Sequence, residues 1–280
     1  MGTDVLTLVH EDERGRILTA DSMTYFDERV GASDVIVAGS YAARVTFGWA
    51  LRLGVKAAIA HAAGVGKDDA GISGLALAAE HGMPAAACDT MSARLADGAS
   101  VYDGIIGHAN GPARALGVAT GQPVAEAARR MLDASSGKKT VIEEMVDNQI
   151  YTLEETPKGN IRASWGIPVL RSIREPRPRD VFVQASHCGL TLSAHVIPLR
   201  LKGVIANDAG RGMDDSGIAS FPLLAAEGIA AAAVDAMSAR IGDVMSIWND
   251  GIVSAANDVA RARGVRPGMT TKEAARRMLE

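Results

Sequence analysis

The chain has 280 residues, 48% apolar and 22% charged, which is length for one large domain or two of about 100 to 150 residues and excludes a disordered or collagen-like polymer. Its 29 basic and 33 acidic residues give a formal charge of −4 with no basic run, so a nucleic-acid partner is not expected. Two cysteines, Cys88 and Cys188, are too few for a disulfide framework, no apolar stretch is long enough to span a membrane, and residues 1–15 lack a secretion signal, so the expected setting is the cytoplasm with no membrane partner.

In chain order, LTLVHEDERGRILTA (6–20) reads as a strand, a polar Gly turn and a second strand. DVIVAG (34–39) is a short β-branched run that predicts a buried strand, and YAARVTFGWALRLG (41–54) has helical apolar spacing and a Gly stop. VKAAIAHAAG (55–64) predicts a second strand running into the loop GVGKDD, followed by a helix over AGISGLALAAEHG (70–82). MPAAACD (83–89) predicts a third buried strand. MSARLADGASVYDG (91–104) is expected as a polar loop or short edge strand, and IIGHANGPARALGV (105–118) and PVAEAARRMLDA (123–134) as helices. DASSGKKTVIEEMVD (133–147) has the charge and Ser/Gly content of a linker, and two prolines in IREPRPRD (173–180) stop the element before it.

The same order then begins again. Residues 34–102 align without a gap with 180–248, with 28 identities in 69 pairs. After one inserted residue, 103–132 align with 250–279, with 18 identities in 30. The expected fold is therefore α/β, a tandem duplication of a unit of about 140 residues (1–140 and 141–280), each a mainly parallel sheet with flanking helices, related by a pseudo-two-fold. The 49 alanines and 30 glycines imply cores of small side chains that gain from association, so a homo-oligomer is expected.

Polar residues identical in both copies are Ser40/Ser186, Asp68/Asp214, Asp69/Asp215, Asp89/Asp235, Ser92/Ser238, Arg94/Arg240, Asp97/Asp243, Ser100/Ser246 and Asn110/Asn257. Most follow the predicted core strands, whose carboxyl ends share the edge where α/β proteins bind ligands. The loops AAGVGKDDAGI and DAGRGMDDSGI run through glycines into a helix and can offer N–H groups to an anion, although an Asp of each pair also suits an N-cap and the other could hold Mg²⁺. In DTMSARLAD and DAMSARIGD, Arg94 and Arg240 can grip a carboxylate, or can pin their loops to an aspartate instead. The second copy has Gln184, Ser186, His187 and Cys188 in QASHCG where the first has Ala38, Ser40, Tyr41 and Ala42, and Asn207-Asp208 where the first has His61-Ala62, which points to one working or composite site. QASHCG lacks the first glycine of a nucleophile elbow, and no histidine pair has zinc-binding spacing.

The stretch AGISGLALAAEHGMPAAACDTMSARLADGASVYDG (70–104) resembles the swivelling phosphohistidine domain of phosphoenolpyruvate-using enzymes: a Gly loop, a helix, a G-x-P strand and a D-G turn. Asp69-Ala70 and Asp215-Ser216 stand where those domains carry the histidine, so the resemblance implies an α/β topology and not that activity.

These residues lead to an expected enzyme acting on a small carboxylate-bearing metabolite, by hydrolysis of an amide or cyclic amide C–N bond. Ser186, Asp215, Asp235, Ser238 and Arg240 form the expected catalytic set, in which Arg240 and Ser238 hold the carboxylate and an aspartate activates water. Ser40, Asp69, Asp89, Ser92, Arg94, His187, Asn207, Asp208, Gly210 and Gly212 are the expected substrate contacts, with no cofactor beyond the Mg²⁺ option. The same residues could serve a lyase, an isomerase or a non-catalytic duplicated binding module.

Overall fold

A computed structural model describes residues 5–142 and 149–280, so the expected linker at 133–147 lies partly outside the described residues. Two six-stranded mixed sheets carry the fold, with the same strand order, 1 to 6 in the first and 7 to 12 in the second. In the first, β1 (Thr7–Asp12) and β2 (Gly15–Ala20) form the expected hairpin. Strand β3 (Val35–Tyr41) runs parallel to β2, then β4 (Ala57–His61) and β5 (Ala85–Cys88) continue in parallel. Helix α1 (Arg44–Leu53) ends where Gly54 turns left-handed at φ 71°, and α2 (Gly74–Glu80) leads to β5.

Two expectations change after β5. The segment 91–104 contains a short helix, α3 (Gly98–Asp103), capped by the Asp97 side chain on Ser100 N–H, rather than an edge strand. The segment read as helix from 105 begins instead as β6 (Ile106–Ala109), antiparallel to β5, before α4 (Gly111–Ala115) and α5 (Val124–Met131). Four residues are too few to show a period of two.

The second half repeats the layout with β7 (Ile150–Thr156), β8 (Gly159–Ser164), α6 (Ile167–Ser172), β9 (Asp180–His187), α7 (Thr191–Val196), β10 (Gly203–Asn207) and α8 (Phe221–Ala226). It closes with β11 (Ala230–Val234), α9 (Val244–Asp250), β12 (Val253–Ala256), α10 (Asp258–Ala262) and α11 (Thr271–Leu279).

Strict alternation divides the core. Ile36, Ala38, Ala58 and Ala60 face α1 and α2, while Val35, Val37, Ala57 and Ile59 face α3 and α5. Because successive parallel strands advance in one direction, their crossover helices share one face, and α1 packs on α2. Such a sheet has no strand-order reversal to open a crevice at its carboxyl edge.

That edge is covered by the other half. A small apolar cluster joins Tyr41, Ala43, Ala63, Ala70 and Leu95 to Ala209 and Ile241. Gly64 and Gly210 meet backbone to backbone, a Cβ on Gly64 lying 2.8 Å from Gly210 Cα. Arg94 pairs with Asp214 across this junction, and Arg240 pairs reciprocally with Asp68 at 3.0 Å. Among the described residues, no helix is long and apolar enough to cross a membrane.

Candidate functional site

Beside this junction lies a cavity of roughly 170 Å³ built by both halves. At about 10 to 15 Å³ of such space per water, it has room for a ligand of on the order of ten non-hydrogen atoms. The first half contributes Asp21, just past β2, Ser40 and Tyr41 at the end of β3, and Trp49 on α1. The second contributes Trp165 after β8, Arg171 on α6, Ser186 and His187 at the end of β9, and His195 on α7. In the alignment Ser40 matches Ser186, Tyr41 matches His187 and Trp49 matches His195. Equivalent positions thus carry different chemistry.

His187 Nδ1 accepts the Gly189 N–H at 3.0 Å, which leaves the proton of the neutral ring on Nε2. Burial pushes the pKa of His187 down to about 4, so at neutral pH it is a donor and not a cation. The Tyr41 ring meets it edge to face, centroids 6.1 Å apart, and burial raises the Tyr41 phenol to about 12. His195 is also held down to about 4, by burial and then by the Arg171 guanidinium. Arg171 has no hydrogen-bond or ion-pair partner among the described residues.

The two serines differ. Ser40 Oγ accepts the Met23 N–H at 2.8 Å, whereas the Ser186 hydroxyl has no hydrogen bond among the described residues. Asp21 Oδ1 accepts the Gly98 N–H at 3.0 Å, and Trp49 Nε1–H donates to Phe26 O at 3.0 Å, which fixes the indole. Arg52 lies over the Trp49 ring, 5.3 Å from its centroid.

Of the residues singled out from sequence, Ser40, Ser186 and His187 line this cavity, and the rest do not. Arg240 donates to Asp243 and Asp68, and Arg94 to Asp214. Both guanidiniums therefore fasten the halves together instead of facing the cavity. Asp89 and Asp235 accept the Met91 and Met237 N–H groups in matching turns, while Ser92 and Ser238 hydroxyls bond the carbonyls of Asp89 and Asp235. Asp215 is held by Arg211, which lowers its pKa, and Asp69 is exposed at φ 54°.

The Asp208 carboxylate is buried and accepts from Gly210 N–H, Ala236 N–H and the Ser254 hydroxyl, while burial raises its pKa. Asn207 bonds Ala239 O and Ala209 N–H. The loop N–H groups expected to meet an anion are already engaged: Gly210 on Asp208, Gly212 on Gly210 O, and Met213 on Ala93 O. Gly212 itself stands at φ 69° against the Ser216 hydroxyl. Cys188 is buried, its thiol pushed up in pKa and donating to Ala232 O.

Sequence reasoning missed Asp21, Trp49, Trp165, Arg171 and His195, which are not identical between the halves and belong to no motif. The usable signal was their location, at the carboxyl ends of the strands or on the helix that follows. Among the described residues, no three His, Cys, Asp or Glu side chains are grouped to hold a metal ion. No protein family, curated protein or solved structure matches the chain.

Proposed function

We propose that the chain is an enzyme acting on a compact carboxylate-bearing metabolite in the cavity between its halves, with hydrolysis of an amide or cyclic amide C–N bond as the reaction that best suits the lining. The observation carrying this reading is a guanidinium without a protein partner, Arg171, in one small cavity with two unprotonated histidines and a hydroxyl without a protein partner. Arg171 receives the substrate carboxylate in a bidentate grip. His187 Nε2–H and the Ser186 hydroxyl donate to the carbonyl oxygen, a neutral imidazole serving as electrophile. His195, unprotonated at neutral pH, accepts a proton from the attacking water. These roles replace the expected ones of Arg240, Ser238, Asp215 and Asp235, whose hydrogen bonds lie elsewhere.

The same reading treats the halves as a tandem duplication related by an approximate two-fold, supported by their identities and the reciprocal pairs Arg94–Asp214 and Arg240–Asp68. One composite cavity favours a single site per chain over a module with two equal sites. A cytoplasmic, self-associating protein fits its composition.

The test is a thermal-shift and turnover screen of small carboxylates and carboxylate-bearing amides. A ligand that binds only the native state raises the melting temperature by mass action. The expected result is a shift, and release of amine, that disappear in Arg171→Gln and persist in Arg94→Ala. A carboxylate shift unchanged in Arg171→Gln, or a response to phosphates alone, overturns the assignment.

A further inference from the structure

The cavity lining carries two opposite charges, both on exposed side chains. Asp21 is the one carboxylate among its described lining residues and Arg171 the one guanidinium. They belong to corresponding segments of opposite halves, Asp21 following β2 and Arg171 lying on the helix that follows β8. Each stands with its own half: Asp21 is tied to Gly98 of the first, and Arg171 acts on His195 of the second. They form no ion pair with each other, although both border a space sized for about ten atoms. Asp21 Oδ2 has no hydrogen bond among the described residues. The two histidines of the lining are unprotonated at neutral pH, so they add no further charge to it.

Resting on the function proposed above, we propose that the cavity selects a zwitterion, a small amino acid of the kind the proposed hydrolysis releases, with its carboxylate on Arg171 and its amino nitrogen on Asp21. The chemistry agrees with the proposed reaction. Water adds across the amide C–N bond, its oxygen going to the carbonyl carbon and both of its protons ending on the departing nitrogen, so the products at neutral pH are a carboxylate and an ammonium. A carboxylate and a guanidinium in the same lining fix the direction in which such a molecule binds. An uncharged amide or a simple fatty acid satisfies one charge at most.

The experiment is a calorimetric titration of the whole chain with three matched series: ω-amino acids of four, five and six carbons, the straight-chain carboxylates of the same lengths, and the corresponding amines. Wild type, Asp21→Asn and Arg171→Gln are compared, each first checked for a native melting transition. Asn can still accept the Gly98 N–H, so Asp21→Asn removes charge without removing that bond. The expected result is one amino acid binding at least tenfold tighter than its matched carboxylate or amine. Asp21→Asn should bring it to the carboxylate's level while leaving the carboxylate's own affinity unchanged.

Equal binding of amino acid and carboxylate, insensitive to Asp21→Asn but lost in Arg171→Gln, overturns the zwitterion and leaves the carboxylate enzyme standing. Amines binding best, through Asp21 alone, overturn both. No binding in any series overturns the zwitterion; if the carboxylate-bearing amides then also fail to bind or turn over, the parent reading falls with it.

Discussion

His61 and Asn207 occupy aligned positions and make the same two hydrogen bonds. His61 Nδ1 accepts the Ala63 N–H at 3.0 Å and its Nε2–H donates to Ala93 O at 3.1 Å. Asn207 Oδ1 accepts the Ala209 N–H at 2.8 Å and its amide donates to Ala239 O at 3.0 Å. Each side chain ties the end of one strand to the loop after the next. A difference that reads in sequence as chemistry is, in space, two solutions to one problem of backbone satisfaction.

The equivalence predicts a mutational asymmetry. His61→Asn should keep both bonds and lose less than half the stability lost by His61→Leu, which orphans the buried Ala63 N–H at about 1–3 kcal/mol. Denaturant titration of both variants checks this. Equal losses would show that His61 matters through its volume and not its hydrogen bonds.

Gly64 and Gly210 carry a second prediction, because both stand at positive φ, +77° and +67°, with each backbone against the other. Gly82 has a similar φ of +69° but nothing within 4 Å of a built Cβ. Gly82→Ala should therefore cost only the left-handed backbone penalty, about 1–2 kcal/mol. Gly64→Ala and Gly210→Ala should cost clearly more, since the halves must part to admit the methyl group. If all three melt alike, the close approach of the halves contributes nothing to stability.

The repeat explains which parts of this protein were legible in its sequence. Strands β3, β4 and β5 were readable because they are short apolar runs stopped by glycines or a polar loop, and α1 because its spacing ends at Gly54. Strand β6 was hidden by its length and by the helix that follows it at once. The polar identities between the halves marked something real, but Asp97 and Asp243 mark helix caps, Asn110 and Asn257 bond buried backbone, and Arg94 and Arg240 mark the junction. At these positions identity accompanies one structural task performed in both halves, as His61 and Asn207 perform one with different residues. Beside the identical pair Ser40 and Ser186, the cavity draws on positions where the halves differ, Tyr41 against His187 and Trp49 against His195; the difference itself marked His187, while a bulky aromatic against a histidine at 49 and 195 carried no motif.

Arg240→Lys follows from that distinction. Its guanidinium bridges Asp243 at 2.9 Å and Asp68 at 3.0 Å on a partly exposed surface, and the bond to Asp243, then that to Asp68, raises its pKa. Exposed ion pairs contribute about 0.2–1 kcal/mol. The substitution should shift the denaturation midpoint slightly and leave affinity for any ligand of the cavity unchanged, as a titration beside Arg171→Gln would read. A large loss of ligand affinity in Arg240→Lys alone would return the site to the Arg–Asp loops.

The last prediction concerns acid. His187 titrates near 6.5 in an unfolded chain and near 4 in the fold, where burial excludes its charged form. Between those values the unfolded state binds the extra proton, so stability rises with pH. The contribution is fully present above about pH 6.5 and is lost as the pH falls towards 4. Its size is about 3 to 4 kcal/mol at most, since each pH unit separating the two values is worth roughly 1.4 kcal/mol. His195, also lowered to about 4, acts in the same direction. His187→Asn provides the comparison, because an amide oxygen can accept the Gly189 N–H as Asn207 accepts that of Ala209. Wild type should lose clearly more stability than His187→Asn between pH 7 and pH 4.5 in matched denaturant titrations, whatever their difference at pH 7. Parallel losses would mean that His187 is not held neutral by its burial, and the donor role assigned to its Nε2–H would go with it.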